Sequence, residues 1–340
     1  MTVANSPKKV VTVLLNWNGK ADTLACLDSL AAVTHPNHQV VVVDNGSTDG
    51  SVAAIKSACQ DVLVLETGAN LGYAGGNNVG IRWALEQGAD FVFLLNNDTV
   101  VSPDIVDELV AAAASLPVHS VLGAKIYFYD EPTSLWFAGG TWDAQAADFD
   151  HIGFGCPDGK DYAFQREVDY VTGCALFASA DTFRQVGLLD ESFFLTYEET
   201  DWCYRARRMG YRCFFIPGAR LWHKVSASFG GAQSPLVTYF MVRNRLLWAR
   251  RHLEKRQFSL VRAKVLSSIR KIVLPPFSMP DSTYPIVKRL TWGCASWVKT
   301  LHRNLENANN LAVLYGFRDY LRGRLGNCPE NVRVLARKGR

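Results

Sequence analysis

Three acids fall within four residues, Glu198, Glu199 and Asp201, and their neighbours are Phe193, Phe194, Tyr197 and Trp202 rather than other charges. A purely solvated face seldom carries that much aromatic surface. A carboxyl group half-sheltered by rings holds its proton more tightly than one in water, so it can serve as a general base near neutral pH. The competing explanation is a helix N-terminus whose acids complement the macrodipole, with Arg205 and Arg207 as partners.

A second acidic position lies about a hundred residues earlier. The apolar run Phe91–Leu95 ends in Asn96-Asn97-Asp98. A carboxylate at the end of a strand can hold a hard divalent cation, which prefers oxygen ligands and often takes only one or two carboxylates besides phosphate oxygens. The alternative is a turn residue before a helix opening near Ser102-Pro103. Asp44 likewise closes an apolar run and precedes Asn45-Gly46-Ser47-Thr48-Asp49-Gly50. It can accept the N3–H of a uracil or thymine ring, or it can simply form the turn. The segment Asn70-Leu71-Gly72 through Gly75-Gly76-Asn77-Asn78 places glycines at a helix start, where a phosphate can approach backbone amides. It is neither a dinucleotide fingerprint nor a Walker loop, and a flexible turn would explain it as well. His223, in Trp222-His223-Lys224, reads as a packed histidine unless the acids make it a metal ligand.

The elements that must position these residues alternate between strand and helix. Val10–Leu15, Gln39–Val43, Val62–Leu65 and Phe91–Leu95 are strand-like apolar runs, with helical patterns over about 21–33 and 74–87. The stretch after Asp44 offers Ser47, Thr48 or Asp49 as a helix N-cap. This alternation predicts parallel pairing with ligands at the carboxyl ends of the strands, where Asn16, Asp44, Asn70 and Asp98 stand. From about 120 to 225 the pattern is mixed, with short strands at Ala124–Phe128, Tyr170–Ala178 and Cys213–Ile216 and a mobile or substrate-facing loop over 140–165. Residues 235–272 and 284–325 read as helical.

The chain has 340 residues, 48% of them hydrophobic, enough for a sizeable core. Its net charge of +4 is uneven: residues 1–239 carry 15 Lys+Arg against 27 Asp+Glu, and residues 240–340 carry 21 against 5. The basic tail points to an anionic partner such as lipid or pyrophosphate; no nucleic-acid motif accompanies it, so nucleic acid is not expected. Eight cysteines without a Cys-x-x-Cys pair read as free thiols of a cytoplasmic protein. No secretory signal and no apolar run of transmembrane length is apparent.

In their order and spacing, Asn16-Trp17-Asn18-Gly19, Asp44 through Gly50, Asn70 through Asn78, Asn96-Asn97-Asp98, Asp190-Glu191 through Asp201, and Trp222-His223 resemble inverting glycosyltransferase family 2, in its rhamnosyltransferase-like branch. The resemblance spans about residues 10–230. It implies a GT-A α/β fold: a mixed sheet flanked by helices, with a nucleotide-sugar-binding half (1–125), an acceptor and catalytic half (126–235) and a basic helical extension (236–340). It implies Mg²⁺ or Mn²⁺ on Asp98 and His223. Nucleotide-sugar contacts fall to Asn16, Asp44, Asn45, Gly46, Asn70, Gly72, Asn77 and Asn97, and the general base to Glu199, with Glu198 and Asp201 as rivals. The family's Asp-x-Asp motif here reads Asn-Asn-Asp. The expected partners are a dTDP- or UDP-sugar, dTDP-L-rhamnose first, and a glycan or polyprenyl-diphosphate-linked acceptor. The tail is expected to meet the inner face of the membrane or a second copy of the chain. A binding protein of the same fold without turnover is the other class.

Overall fold

A computed structural model describes residues 6–143, 148–225, 234–280 and 283–338. The chain divides into two compact units, Met1–Ser228 and Phe229–Arg340.

The first unit opens with the expected alternation: β1 (Val10–Asn16), α1 (Lys20–Ala31), β2 (His38–Asp44), α2 (Ser51–Ala58), β3 (Leu63–Glu66), α3 (Gly72–Glu86) and β4 (Phe91–Asn96). These strands pair in parallel in the order β3-β2-β1-β4. Helices cover the sheet, which is why its central strands are apolar on both faces: Val10, Val11, Val13 and Leu14 of β1 are all inaccessible to solvent. After β5 (Thr99–Val101) and α4 (Ile105–Ser115), the remaining strands are β6 (Ser120–Phe128), β7 (Leu135–Phe137), β8 (Gly140–Asp143), β9 (Asp148–His151), β10 (Arg166–Val168) and β11 (Ala175–Ser179). The helices α5 (Ala180–Val186) and α6 (Glu198–Arg208) lead to β12 (Arg212–His223). β11 runs antiparallel between β4 and β6, and β12 continues the sheet parallel to β6, so the sheet is mixed.

Several local expectations are corrected. α2 has Gly50 as its N-cap, in a left-handed conformation, and none of Ser47, Thr48 or Asp49 caps it. The expected strand Tyr170–Ala178 starts only at Ala175, because Thr172 O accepts from Ala175 N and turns the chain. The expected Cys213–Ile216 extends to His223: Pro217-Gly218 does not end the strand but sits in an irregularity between Ile216 and Arg220, after which pairing with β6 resumes. Within 140–165, β8 and β9 form a hairpin where a loop was expected; residues 144–147 lie outside the described residues.

The second unit contains α7 (Pro235–His252), α8 (Lys255–Val273), α9 (Ile286–Glu306), α10 (Ala308–Leu321) and α11 (Glu330–Lys338). Ser234 accepts from Val237 N and Pro235 follows it, a favoured helix start. The single helical pattern of 235–272 splits at Leu253-Glu254. α7 packs on α10 around a buried polar set: Tyr239 donates to Asp319, and Arg243 donates to Asn244 Oδ1 and to Gly326 O. Among the described residues no helix is long and apolar enough to cross a membrane.

Candidate active site

The sheet gathers the predicted residues at the carboxyl ends of β1, β2 and β4. Asp44 is 2% exposed and its carboxylate is clamped: Asn16 Nδ2 donates to Oδ2 at 2.7 Å, and Ser47 N donates to Oδ1 at 2.9 Å. Asn16 Oδ1 accepts from Thr23 Oγ1 at 2.8 Å, and Asn97 Nδ2 donates to the same hydroxyl at 2.8 Å. Asn16 and Asn97 therefore belong to a buried network that fixes the orientation of Asp44. Each carboxylate oxygen keeps a further lone pair for an incoming N–H.

Asn45 ties two loops together: it donates to Gly72 O at 3.0 Å and accepts from Leu71 N at 2.9 Å. Gly46 adopts φ +76°, and a side chain there would run into the backbone of Ala69. At the start of α3 two amides already have partners within the chain. Gly72 N is taken by Asn70 Oδ1 at 2.8 Å and Tyr73 N by Phe194 O at 2.6 Å, so neither amide is offered to a ligand. A Cβ on Gly76 or Gly80 would collide with Leu15 or Val13, so these two let the helix press close on β1. Asn77 donates back to Tyr73 O, with its Oδ1 buried and unpartnered.

Asp98 and His223 are brought together by the antiparallel pairing of β5 with β12, which sets His223 opposite Thr99, and by Lys224 N donating to Asp98 O at 2.9 Å. The result is a buried contact of 3.1 Å between His223 Nε2 and Asp98 Oδ1. Burial works against an imidazolium, but the Cys174 sulfur and the Asp98 carboxylate favour it and lift His223 to about 10. Among the described residues no group of three or more His, Cys, Asp or Glu side chains that could hold a metal ion is present. Asp98 and His223 offer one carboxylate and one imidazole, donor types that a divalent cation with further water and phosphate ligands can use.

The acidic cluster occupies the first turn of α6. The loop leading into it is strained: Phe194, Thr196 and Tyr197 all have positive φ, at 66°, 64° and 73°. Asp201 is tied to Arg205. It is 2% exposed and accepts from Arg205 Nε at 2.8 Å, while Arg205 also donates to Val186 O and Leu188 O. Glu198 and Glu199 each carry a buried Oε2 with no hydrogen-bond partner. Burial raises both above the usual carboxylate range, Glu198 the more strongly because Glu199 adds repulsion. Glu198 is only 3% exposed, whereas Glu199 is half-buried and its charge is felt at Tyr73, Tyr170 and Cys174. Cys174, whose carbonyl accepts from Asn96 N, also feels Asp98 and His223. The charges of Glu199 and of the Asp98–His223 pair are thus both felt at Cys174, just before the start of β11.

Sequence reasoning missed three neighbours. Tyr73, half-buried, donates to Gly173 O, and the charge of Glu199 is felt at its hydroxyl. Trp136 lies edge-on to His223, with ring centroids 4.7 Å apart, and also to His151 at 4.7 Å. Burial pushes His151 down to about 4, so it is neutral at pH 7. The aromatic run Leu135-Trp136-Phe137 was the available signal for this wall.

The Glycosyl transferase family 2 model matches residues 11–180, half of the chain, and the chain belongs to that family. The fold is of the GT-A glycosyltransferase type. It is similar to a mannosyltransferase from Pyrobaculum calidifontis solved with GDP-Man and Mn²⁺ (TM-score 0.54, 14% identity, 93% of this chain and 89% of that one). It is also similar to GalNAc-T7 solved with UDP, GalNAc and Mn²⁺ (TM-score 0.53, 14% identity, 82% and 60%). Among curated relatives, a low-salt glycan biosynthesis hexosyltransferase, Agl10 of Haloferax volcanii, is 29% identical over 58% of this chain, which spans 61% of that protein. An N-acetylglucosaminyl-diphospho-decaprenol L-rhamnosyltransferase of Mycobacterium tuberculosis is 29% identical over 60% of this chain and 72% of its own. A dTDP-rhamnosyl transferase, RfbF of Shigella flexneri, is 25% identical over 81% and 87%.

Proposed function

We propose that the chain is an inverting, metal-dependent transferase that moves a sugar from a nucleotide-diphospho-sugar, dTDP-L-rhamnose first and a UDP-hexose second, to a glycan or polyprenyl-diphosphate-linked acceptor of the cell envelope. The observation that carries this reading is the buried Asp98–His223 contact at the sheet end that also holds the clamped Asp44, with the unpartnered Oε2 of Glu199 on the adjoining α6. The two rhamnosyltransferase relatives support the donor and the lipid-linked acceptor.

In this mechanism Asp44, held by Asn16 and Ser47, accepts the N3–H of the pyrimidine. Asp98 and His223 are the residues that would hold Mg²⁺ or Mn²⁺, which when bound would offset negative charge on the diphosphate. Glu199 takes the proton of an acceptor hydroxyl, and its burial keeps that affinity for the proton high. The hydroxyl oxygen bonds to the anomeric carbon as the bond to the diphosphate breaks on the opposite face. One base suffices, with no second carboxylate for a covalent intermediate. The enzyme works at the inner face of the membrane, where a polyprenyl-linked acceptor would be presented.

A thermal-shift panel of dTDP-, UDP-, GDP- and ADP-sugars with Mn²⁺ tests the donor. A ligand at a hundred times its Kd adds about 2.7 kcal/mol, or about 5–10 °C for a unit of this size. A rise with dTDP- or UDP-sugars is expected; no response to any of the four would sink the proposal.

A further inference from the structure

We infer that the turn between α8 and α9 is an insertion tip for an anionic lipid surface. This goes beyond the transfer reaction and does not rest on it. Between residues 274 and 292 the second unit leaves an unusual density of large apolar side chains in solvent: Leu274, Phe277, Ile286, Val287, Leu290 and Trp292, with Leu274 58% and Val287 69% exposed. Single exposed apolar residues are ordinary, but a cluster of this kind marks a contact surface.

The cluster is held in shape. Trp297 Nε1 donates to Pro275 O at 2.7 Å, Asn304 Nδ2 donates to Ile272 O at 3.1 Å, and Gly293 leaves room for the Phe277 ring. Along α9, Val287, Leu290, Cys294, Val298 and Leu305 follow at spacings of three, four, four and seven, so one exposed stripe runs the length of the helix.

Charge selects the occupant. Residues 255–305 hold ten Lys+Arg and one acid, Asp281. Lys288 lies over the rings of Tyr284 and Trp292, at 5.3 and 4.9 Å, so cation and aromatic share one margin of the cluster. A second copy of the chain docking through the same face would bring two strongly basic segments together, which the electrostatics disfavour. An anionic bilayer supplies both an apolar layer for the cluster and negative headgroups for its rim.

The test is flotation of the full chain with vesicles of phosphatidylcholine alone and with 30 mol% phosphatidylglycerol, with its mass in solution followed by light scattering. Wild type is expected to float only with the anionic vesicles and to be released by 0.5 M salt. The exposed double variant Ile286→Ser/Val287→Ser should stay at the bottom of the gradient with an unchanged melting temperature. Lys288→Gln/Arg289→Gln should lower the bound fraction by about fivefold for each charge removed. Wild type that does not float, or serine variants that float as well as wild type, would overturn the inference. So would a dimer in solution that the serine variants dissociate, since the face would then join two copies.

Discussion

Replacing Gly72 by alanine pushes a methyl group into the seam between the donor half and the loop that carries the base. Gly72 has φ +77°, and a Cβ there would meet the carbonyl oxygen and ring of Phe194, the ring carbon Cδ2 at 2.6 Å. The neighbouring bond from Tyr73 N to Phe194 O, at 2.6 Å, would have to give with it. A left-handed alanine costs about 1–2 kcal/mol, and the lost hydrogen bond about 0.5–1.5 kcal/mol, so Gly72→Ala should destabilise by about 2–3 kcal/mol. Gly50 supplies the control: its φ is +78°, but nothing lies within 4 Å of its Cβ position, so Gly50→Ala should cost only the conformational term, about 1–2 kcal/mol. The displaced loop runs through Thr196 and Tyr197 into Glu199. A shift of about 1 Å there should lower kcat by about a hundredfold in Gly72→Ala and leave Gly50→Ala near wild type. Urea melts and release of nucleoside diphosphate measure the two effects. Equal stability losses in the two variants, or full kcat in Gly72→Ala, would refute the reasoning.

Further outcomes follow from the buried groups. Glu198 holds its proton above the usual range, so the folded state binds more protons than the unfolded one, and stability falls as pH rises above about 4.5. Glu198→Gln should therefore raise the melting temperature at pH 8 and change it little at pH 4, as read by calorimetry at the two values. Asp201→Ala strands Arg205 and should cost about 2–3 kcal/mol in urea unfolding, with donor binding retained, because that carboxylate anchors α6 rather than meeting substrate. Asp98→Asn and His223→Ala should each remove the Mn²⁺-induced rise in melting temperature, while Asn77→Ala should not.

The donor half was legible because its strands are apolar runs followed by polar residues, so β1, β2 and β4 stood out, with Asn16 and Asp44 at the ends of two and Asp98 just past the end of the third. The sheet pairing that joins Asp98 to His223 was not, since it depends on β12 passing Pro217-Gly218 through an irregularity that local propensity reads as a stop. The three acids of α6 looked alike in sequence; only tertiary contacts separate Asp201, paired with Arg205, from the two glutamates, each of which keeps an Oε2 without a hydrogen-bond partner. The glycines of α3 suggested phosphate binding because glycine serves both close approach to a ligand and close packing of helix on sheet; tertiary structure shows Gly76 and Gly80 serving the second, which sequence alone does not distinguish. Trp136 escaped notice because its meeting with His223 joins β7 to the end of β12, distant in sequence.

The measurement that bears most directly on the proposed chemistry is sugar transfer by Glu199→Gln beside Glu198→Gln, with donor affinity measured on the same preparations. Loss of a general base costs about 10²–10⁴ in rate. Glu199→Gln is expected to lose kcat by that factor with donor Kd unchanged, and Glu198→Gln to keep most of its activity. Near wild-type transfer by Glu199→Gln, with the loss falling on Glu198→Gln instead, would contradict the assignment.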